Sequence, residues 1–177
     1  SVKATIALYA FAVIAKAKGK TEAVTYFDSL AHDRAAELEK RFPNHLPLSF
    51  DSGEDTYSLK YNLAADKMLG SNLFDQKLLE REVDLYISKL NKFGCPLDSR
   101  KAFTKSDWLM WVAALTENDE KRKKMITPLT KFLTDSPKRV PYSDWYDTVT
   151  GEVPMFRNRT VQGGLYVLPL LDKKTGN

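Results

Sequence analysis

Apolar residues recur along most of this chain at the spacing of three to four that amphipathic helices require. Together with the glycines and prolines that interrupt it, this spacing predicts an all-α fold, with one short extended piece near residues 153–156. Pro128 is expected to kink or interrupt the sixth helix, because proline has no N–H to donate. Seven helices are predicted, at residues 2–18, 21–42, 56–69, 75–92, 105–115, 119–134 and 161–171.

The connections between the predicted helices alternate between short and long. The long ones cover residues 43–55, the stretch around Pro96, and residues 135–160. In consecutive antiparallel hairpins every second connection falls at the same end, so the three long loops are expected to share one rim. Helices that follow a long loop are apolar and helices that precede one are charged. This pattern favours inner and outer helices of an α/α toroid.

The predicted helices make three and a half hairpins, which do not close a ring. The first helix is apolar nearly all round, so it is not expected to begin a fold. We therefore expect residues 1–177 to form a single domain, the C-terminal part of a toroid that the upstream part of a longer polypeptide completes. An open solenoid is the alternative, although solenoids usually show a sequence repeat and none is visible here.

Charge and composition point away from several classes of partner. The 27 basic and 23 acidic side chains are well mixed, and the densest basic run, residues 121–124, carries no interleaved aromatic residue. We therefore expect no nucleic-acid partner. No apolar run is long enough to cross a membrane. Cys95 is the only cysteine, which excludes an internal disulfide, and it is expected to be a plain loop residue.

The stretch Pro96–Trp111 concentrates acidic, basic and aromatic residues where a loop enters the fifth helix. Thr104 and Asp107 approximate a capping box at the start of that helix. A helix N-terminus has unpaired N–H groups and a positive dipole, so it can hold a carboxylate or an anionic ligand. A purely structural interpretation is equally open: Thr104 and Asp107 cap the helix, and Arg100 pairs with Asp98.

Three polar and aromatic groups fall on the predicted rim, and together they contain the parts of a small-molecule site. The first group is Tyr57, Ser58, Lys60, Tyr61, Asn62 and Asp66; the second is Asp98, Arg100, Lys105, Asp107 and Trp108; the third is Ser143, Asp144, Trp145, Tyr146, Asp147 and Arg159. Carboxylates transfer protons, arginine clamps a carboxylate, and tryptophan or tyrosine forms an apolar wall. Turns and caps explain each group taken singly, but their position on one rim favours a site. The candidate catalytic residues are Asp98 and Asp107, and the candidate substrate-binding residues are Tyr57, Tyr61, Arg100, Lys105, Trp108, Asp144, Trp145 and Arg159.

Several familiar chemistries are missing from the sequence. It contains no Ser-x-x-Lys pair, no Gly-x-Ser-x-Gly elbow, no His-Glu-x-x-His helix and no glycine-rich phosphate loop. Carboxylates therefore remain as the acid–base catalysts, and no cofactor is expected. An acidic loop of Asp51, Gly53, Glu54 and Asp55 matches no known calcium-binding spacing, so no metal is expected either.

Four stretches of the sequence are distinctive: SLKYNLAADKMLGSNLF (58–74), KFGCPLDSRKAFTKSDW (92–108), SDWYDTVTGEVP (143–154) and RNRTVQGGLYVLPLL (157–171). They resemble the fungal glutaminase A family, in its C-terminal six-helical-hairpin domain. The resemblance implies an α/α toroid in a secreted protein several times longer than this chain, acting on L-glutamine to give glutamate and ammonia.

The sequence departs from the pattern of that family at two places. Cys95 stands where a small aliphatic residue is usual, and RNRTVQGG replaces an Ala-Arg-Pro run before the glycine pair. The second change creates a sequon at Asn158, which a secreted protein can glycosylate if the residue is exposed.

Three functions are consistent with the sequence. The resemblance implies the C-terminal part of an extracellular glutaminase-like amidohydrolase, inactive alone, whose partners are a small-molecule substrate and the rest of the parent polypeptide. Paired carboxylates beside tryptophan platforms also suit a carbohydrate-active toroid, whose substrate would be a sugar. A non-catalytic helical module that binds a partner at its rim is the third possibility.

Overall fold

The computed structural model describes residues 1–48, 53, 55–138 and 140–175, and their fold confirms the all-α prediction. Seven α-helices are joined by loops, one 3-10 helix and a single ribbon of two short strands. The helices are α1 (Val2–Ala17), α2 (Thr21–Arg41), α3 (Leu63–Leu69), α4 (Gln76–Ser88), α5 (Ser106–Ala113), α6 (Asp119–Asp135) and α7 (Val167–Thr175); the 3-10 helix is Thr160–Tyr166, and the strands are β1 (Phe103–Lys105) and β2 (Trp145–Asp147).

Odd-numbered and even-numbered helices form two layers. In the first layer α1 contacts α3, α3 contacts α5, and α5 contacts α7; in the second, α4 contacts α6. The α1–α2 and α5–α6 pairs pack as hairpins across the layers. This is the neighbour relation expected for inner and outer helices of an α/α toroid. Among the described residues, the largest completely buried side chains are Tyr86, Tyr146, Phe93, Phe132, Leu63, Leu78, Leu109, Leu115 and Met125.

Helix α3 is much shorter than the predicted helix 56–69, because residues 56–62 pair with another loop. Ser58 forms an antiparallel bridge with Asp98, and the Leu59 amide donates to the Leu97 carbonyl at 2.8 Å. These backbone bonds outside the segment outweigh its helical side-chain pattern. The predicted end is confirmed, since Gly70 takes the left-handed conformation that closes many helices.

Three other predicted boundaries change. Helix α4 ends at Ser88 rather than at residue 92. Helix α6 continues through Pro128 to Asp135, so it is not interrupted there. The predicted helix 161–171 is a 3-10 helix followed by α7, and α7 accommodates Pro169 in its first turn, where an N–H is not required.

The β1–β2 ribbon was not predicted, and the expected extended piece at 153–156 is not a strand. The two strands are antiparallel, with Phe103 opposite Asp147, Thr104 opposite Tyr146 and Lys105 opposite Trp145. Each lies in one of the long loops. The ribbon therefore ties the start of α5 to the loop that precedes the 3-10 helix.

The acidic loop named above lies partly outside the described residues, since Asp51 and Glu54 are not among them. Among the described residues, no group of three or more His, Cys, Asp or Glu side chains is placed to hold a metal ion. None of the described helices combines the length and the apolar content that a membrane crossing requires.

Candidate functional site

The three predicted groups meet on one side of the molecule. The first group joins the second through the Ser58–Asp98 bridge and through the ring of Tyr61, which stacks on Trp108 at 3.9 Å. The second joins the third through the β1–β2 ribbon. The site is therefore assembled from segments that are far apart in the sequence.

The alternation of side chains along strand β1 determines which of them face the candidate site. Successive residues of a strand point to opposite faces, so Phe103 and Lys105 share one face while Thr104 faces the core opposite Tyr146. Thr104 is completely buried, and its hydroxyl has no hydrogen-bond partner among the described residues. The predicted capping box is wrong, because Lys105 is the N-cap of α5 and no side chain caps the helix.

Asp144 lies at the centre of a charged cluster and is almost completely buried. Arg159 binds its carboxylate with two hydrogen bonds, from Nε to Oδ1 at 2.9 Å and from Nη2 to Oδ2. The Nζ atom of Lys105 lies 3.8 Å from Oδ2. The carboxylate of Asp144 is thus neutralised by Arg159, which leaves the charge of Lys105 only partly compensated.

Asp107, in the first turn of α5, is 8% exposed, and its Oδ1 atom has no hydrogen-bond partner among the described residues. Burial raises the pKa of this carboxyl group, and the nearby Asp144 carboxylate raises it further. Lys105 and the amide groups at the start of α5 act in the opposite direction without cancelling the rise. Asp107 therefore combines an unused acceptor with an increased affinity for protons.

Aromatic rings surround Lys105. Its Nζ atom lies 5.4 Å from the ring centre of Trp108 and 6.0 Å from that of Trp145. Tyr61 backs the first ring, and Phe103 stacks on the second at 5.2 Å. The cation lies between two aromatic walls that replace part of its contact with water, which strengthens its attraction for an anion.

Asp98, the other candidate catalytic residue, is in a different state. It is buried, and the guanidinium of Arg100 binds it from Nε at 3.0 Å and from Nη2 at 2.6 Å. Burial alone would raise the pKa of Asp98, but the hydrogen bonds from Arg100 outweigh it and lower the pKa. The pair borders a cavity of about 250 Å³ that is also lined by Leu97, Lys101, Phe103 and Trp145.

Tyr57, a candidate substrate-binding residue, belongs to the core. It is 5% exposed, and its hydroxyl lies 4.0 Å from the Cys95 thiol. Lys60 is also buried; its Nζ donates to the Pro47 carbonyl at 2.8 Å, and burial lowers its pKa to about 8. Asp66 accepts hydrogen bonds from the turn after α3. Of the first group, only Tyr61 lies against the charged cluster.

Tyr142, Ser106 and Gly164 adjoin this cluster and were not predicted. The Tyr142 hydroxyl donates to the Ser106 hydroxyl, and burial raises the pKa of Tyr142 to about 12. A Cβ atom on Gly164 would lie 2.9 Å from the Cβ of Asp107. The carbonyl of Gly164 accepts a hydrogen bond from Trp111 Nε1 at 3.0 Å. Only the glycine pair in RNRTVQGG hinted at this close approach.

The sequon residue Asn158 is exposed and has a φ of +56°. Its backbone amide donates to the Tyr142 carbonyl at 3.0 Å, and the next residue, Arg159, turns inward to Asp144. The asparagine side chain thus lies on the outside of a loop whose neighbouring residue completes the charged cluster.

Known proteins resemble this chain along nearly all of its length. Glutaminase A of Aspergillus oryzae is 32% identical over 180 residues, which cover 97% of this chain and 26% of the relative. A probable glutaminase of Arthroderma benhamiae is 23% identical over 207 residues, which cover 98% of this chain and 24% of the relative. The chain thus spans about a quarter of the length of these relatives.

The family model of the glutaminase A six helical-hairpin domain matches residues 1–169. The paired helical layers and the resemblance seen in the sequence agree with this match. The chain therefore belongs to the glutaminase A six helical-hairpin domain family.

Proposed function

We propose that this chain is the C-terminal part of a glutaminase-type amidohydrolase, in which Asp107 is the acid–base catalyst. The observation that carries the proposal is the state of Asp107, which is buried, unpaired at Oδ1 and shifted towards the protonated form. A carboxyl group of this kind, beside a cation and aromatic walls, is what a proton-transfer site requires.

Hydrolysis of the glutamine side-chain amide has two proton transfers. The attacking water loses a proton as its oxygen bonds to the amide carbon, and the departing nitrogen gains one as the C–N bond breaks. The carboxylate of Asp107 takes the first proton and the resulting acid delivers it to the nitrogen. The immediate products are a carboxylic acid and ammonia, and proton transfer between them leaves the glutamate carboxylate and ammonium.

Lys105 is the best-placed cation for the α-carboxylate of the substrate. Arg100 and Arg159 were the clamps expected from the sequence, but each binds an aspartate through two nitrogens. Lys105 is 19% exposed, and its charge is shared with an Asp144 carboxylate that Arg159 already binds. Trp108, Tyr61 and Trp145 form the walls around it.

The activity is proposed for the whole parent polypeptide, since this chain spans only 26% of its Aspergillus relative. Further helical hairpins are expected to supply the rest of the site. We also propose that the parent protein is secreted and glycosylated at the exposed Asn158. The mass of the purified protein before and after enzymatic removal of N-glycans checks the glycan.

Replacing Asp107 by Asn in the parent polypeptide tests the proposal. The substitution keeps the shape but removes the titratable group, so kcat for glutamine should fall by about 10²–10⁴-fold, the usual contribution of acid–base catalysis. Asp33→Asn, on the exposed face of α2, is the matched control and should leave kcat within about twofold. Glutamine turnover by Asp107→Asn within a few fold of wild type would disprove the role.

A carbohydrate substrate is the second candidate, favoured by the stacked rings of Trp145 and Phe103 beside the cavity at Asp98. Flat aromatic platforms near carboxylates suit the apolar faces of sugar rings. Assaying the parent polypeptide for ammonia release from glutamine and for cleavage of a glycan panel separates the two candidates. Sugar cleavage without ammonia release would replace the first proposal by the second.

A further inference from the structure

Helix α1 leaves an apolar stripe uncovered. One side of the helix, with Val2, Ile6, Ala12 and Ala15, is buried by its neighbours. The other side carries residues at the spacing of one helical face, all of them exposed, and the two large ones are Phe11 (49%) and Ile14 (58%). The exposed apolar stripe consists of Ala4, Ala7, Phe11 and Ile14.

Neighbouring residues extend this stripe into a larger surface. Phe27 of α2 packs against Phe11 with ring centres 4.6 Å apart, and it contacts Tyr26, which is 62% exposed. Ala4 also borders a groove of about 330 Å³ between α1 and α2, whose lining mixes Leu8 and Leu38 with the charged Arg34, Glu37 and Arg41, so the apolar surface ends there. Contiguous apolar surface of this kind usually marks an interaction site.

The order of the inner helices indicates what covers the stripe. Helix α3 contacts both α1 and α5, and α5 contacts both α3 and α7. Among the described residues, α1 contacts an inner helix, α3, on one side only. Its apolar stripe lies on the side away from its buried face. A further inner helix would therefore continue the same packing.

The matched family indicates where the covering helix comes from. Its domain is described as having six helical hairpins, whereas the described residues contain seven α-helices, enough for three hairpins and one further helix. The relatives are also about four times longer than this chain, since it covers 26% and 24% of them. The polypeptide to which the chain belongs thus has room for the hairpins that the described residues lack.

We propose that the stripe of Ala4, Ala7, Phe11 and Ile14 is the docking face for an inner helix from another hairpin of the same parent polypeptide. The small side chains at 4 and 7 allow that helix to approach closely, and the larger ones at 11 and 14 fill the space near the α1–α2 turn. The docked hairpin would also bring the N-terminal end of its own inner helix towards the rim that holds Asp107.

Carbene footprinting of the parent polypeptide tests this docking. Leu133 on α6 is the matched reference, because it is 42% exposed and belongs to the outer layer. The peptide with Phe11 and Ile14 should be labelled at least fivefold less than the peptide with Leu133. Equal labelling in the parent polypeptide would overturn the proposal.

A second copy of the chain is the competing occupant. Its protection of Phe11 and Ile14 would vanish when the parent polypeptide is diluted to nanomolar concentration, whereas an intramolecular hairpin protects at any concentration. Loss of protection on dilution would therefore also overturn the proposal.

Two substitutions give an independent measurement. Ile14→Lys in the parent polypeptide should lower Tm by at least about 5 °C, because it places a charge in a buried contact. Leu133→Lys should change Tm by about 1 °C or less. Equal shifts would contradict the docking. None of these readouts uses glutamine turnover, so Asp107→Asn should give the wild-type footprint even if the proposed catalytic role is wrong.

Discussion

Asp98 and Asp107 lie in one short stretch of sequence, yet the fold gives them opposite environments. Asp98 is held by the guanidinium of Arg100, and its pKa is lowered. Asp107 has an unpaired buried oxygen, and its pKa is raised. The first carboxylate behaves as a fixed structural anion, whereas the second is poised to exchange protons.

The difference shows that a carboxylate near a helix start is not a catalyst by position alone. Both residues are almost completely buried, so burial does not separate them. What separates them is the partner: an arginine two residues away binds Asp98, while the nearest cation to Asp107, Lys105, faces Asp144. Three measurements test this difference between Asp98 and Asp107.

The largest effect on stability is expected from Gly164→Ala, which acts beside Asp107 and Trp111 and not on the contacts given above for Asp98. The new Cβ would lie 2.8 Å from Trp111 Nε1 and 2.9 Å from Asp107 Cβ, so the contact must open. We expect a loss of about 1–3 kcal/mol in the free energy of unfolding, the usual cost of overpacking. Gly163→Ala has nothing within 4 Å of its Cβ and is the control in urea unfolding. Equal losses would show that Gly164 does not pack tightly on Asp107.

A smaller effect is expected from Asp98→Asn, which removes the charge that Arg100 binds. Since the pKa of Asp98 is lowered in the folded state, its carboxylate stabilises the fold above its ordinary pKa near 3.9. This contribution is lost as the pH falls through the lowered pKa. At pH 7 the Tm should fall by a few degrees, and the gap from wild type should close in acid. A Tm gap that persists at low pH would mean that the carboxylate charge is not its cause.

The smallest effect, with the opposite sign, is expected from Asp107→Asn. The folded state holds the proton of Asp107 more tightly than the unfolded state, so stability falls as the pH rises from the ordinary pKa to the raised one. The neutral amide avoids this penalty, so Tm at pH 7 should rise. Thermal unfolding at pH 7 and in acid, where the difference should vanish, checks it. A lower Tm at pH 7 would contradict the raised pKa.

Local patterns in the sequence were enough for most helices, because α2, α4 and α6 carry an apolar face at helical spacing and α1 is apolar nearly all round. Residues 56–62 also have a helical side-chain pattern, but they do not form a helix. Their backbone groups bond to residues 97–99, a partner that no local pattern can reveal. The same reason explains why the β1–β2 ribbon was missed, since each strand is only three residues long.

The residues of the candidate site were largely predictable from the sequence, but the ion pairs that they form were not. The stretches that carry Tyr61, Lys105 and Asp144 were expected on one rim, and they do meet. That Arg159 binds Asp144, and that Arg100 binds Asp98 rather than standing free for substrate, depends on distances that the sequence does not contain. Tyr57 was a candidate because aromatic residues occur both in cores and in binding sites. Its side chain is buried in the core.

The contact of Trp111 with Gly164 also gives the site an optical signal. Trp111 lies one helical turn after Asp107 on α5, and both side chains touch the same glycine. A protonated carboxyl group quenches indole fluorescence more strongly than a carboxylate does. The emission of Trp111 should therefore follow the ionisation of Asp107 during a pH titration, which reports the protonation of this carboxyl group in the absence of any substrate.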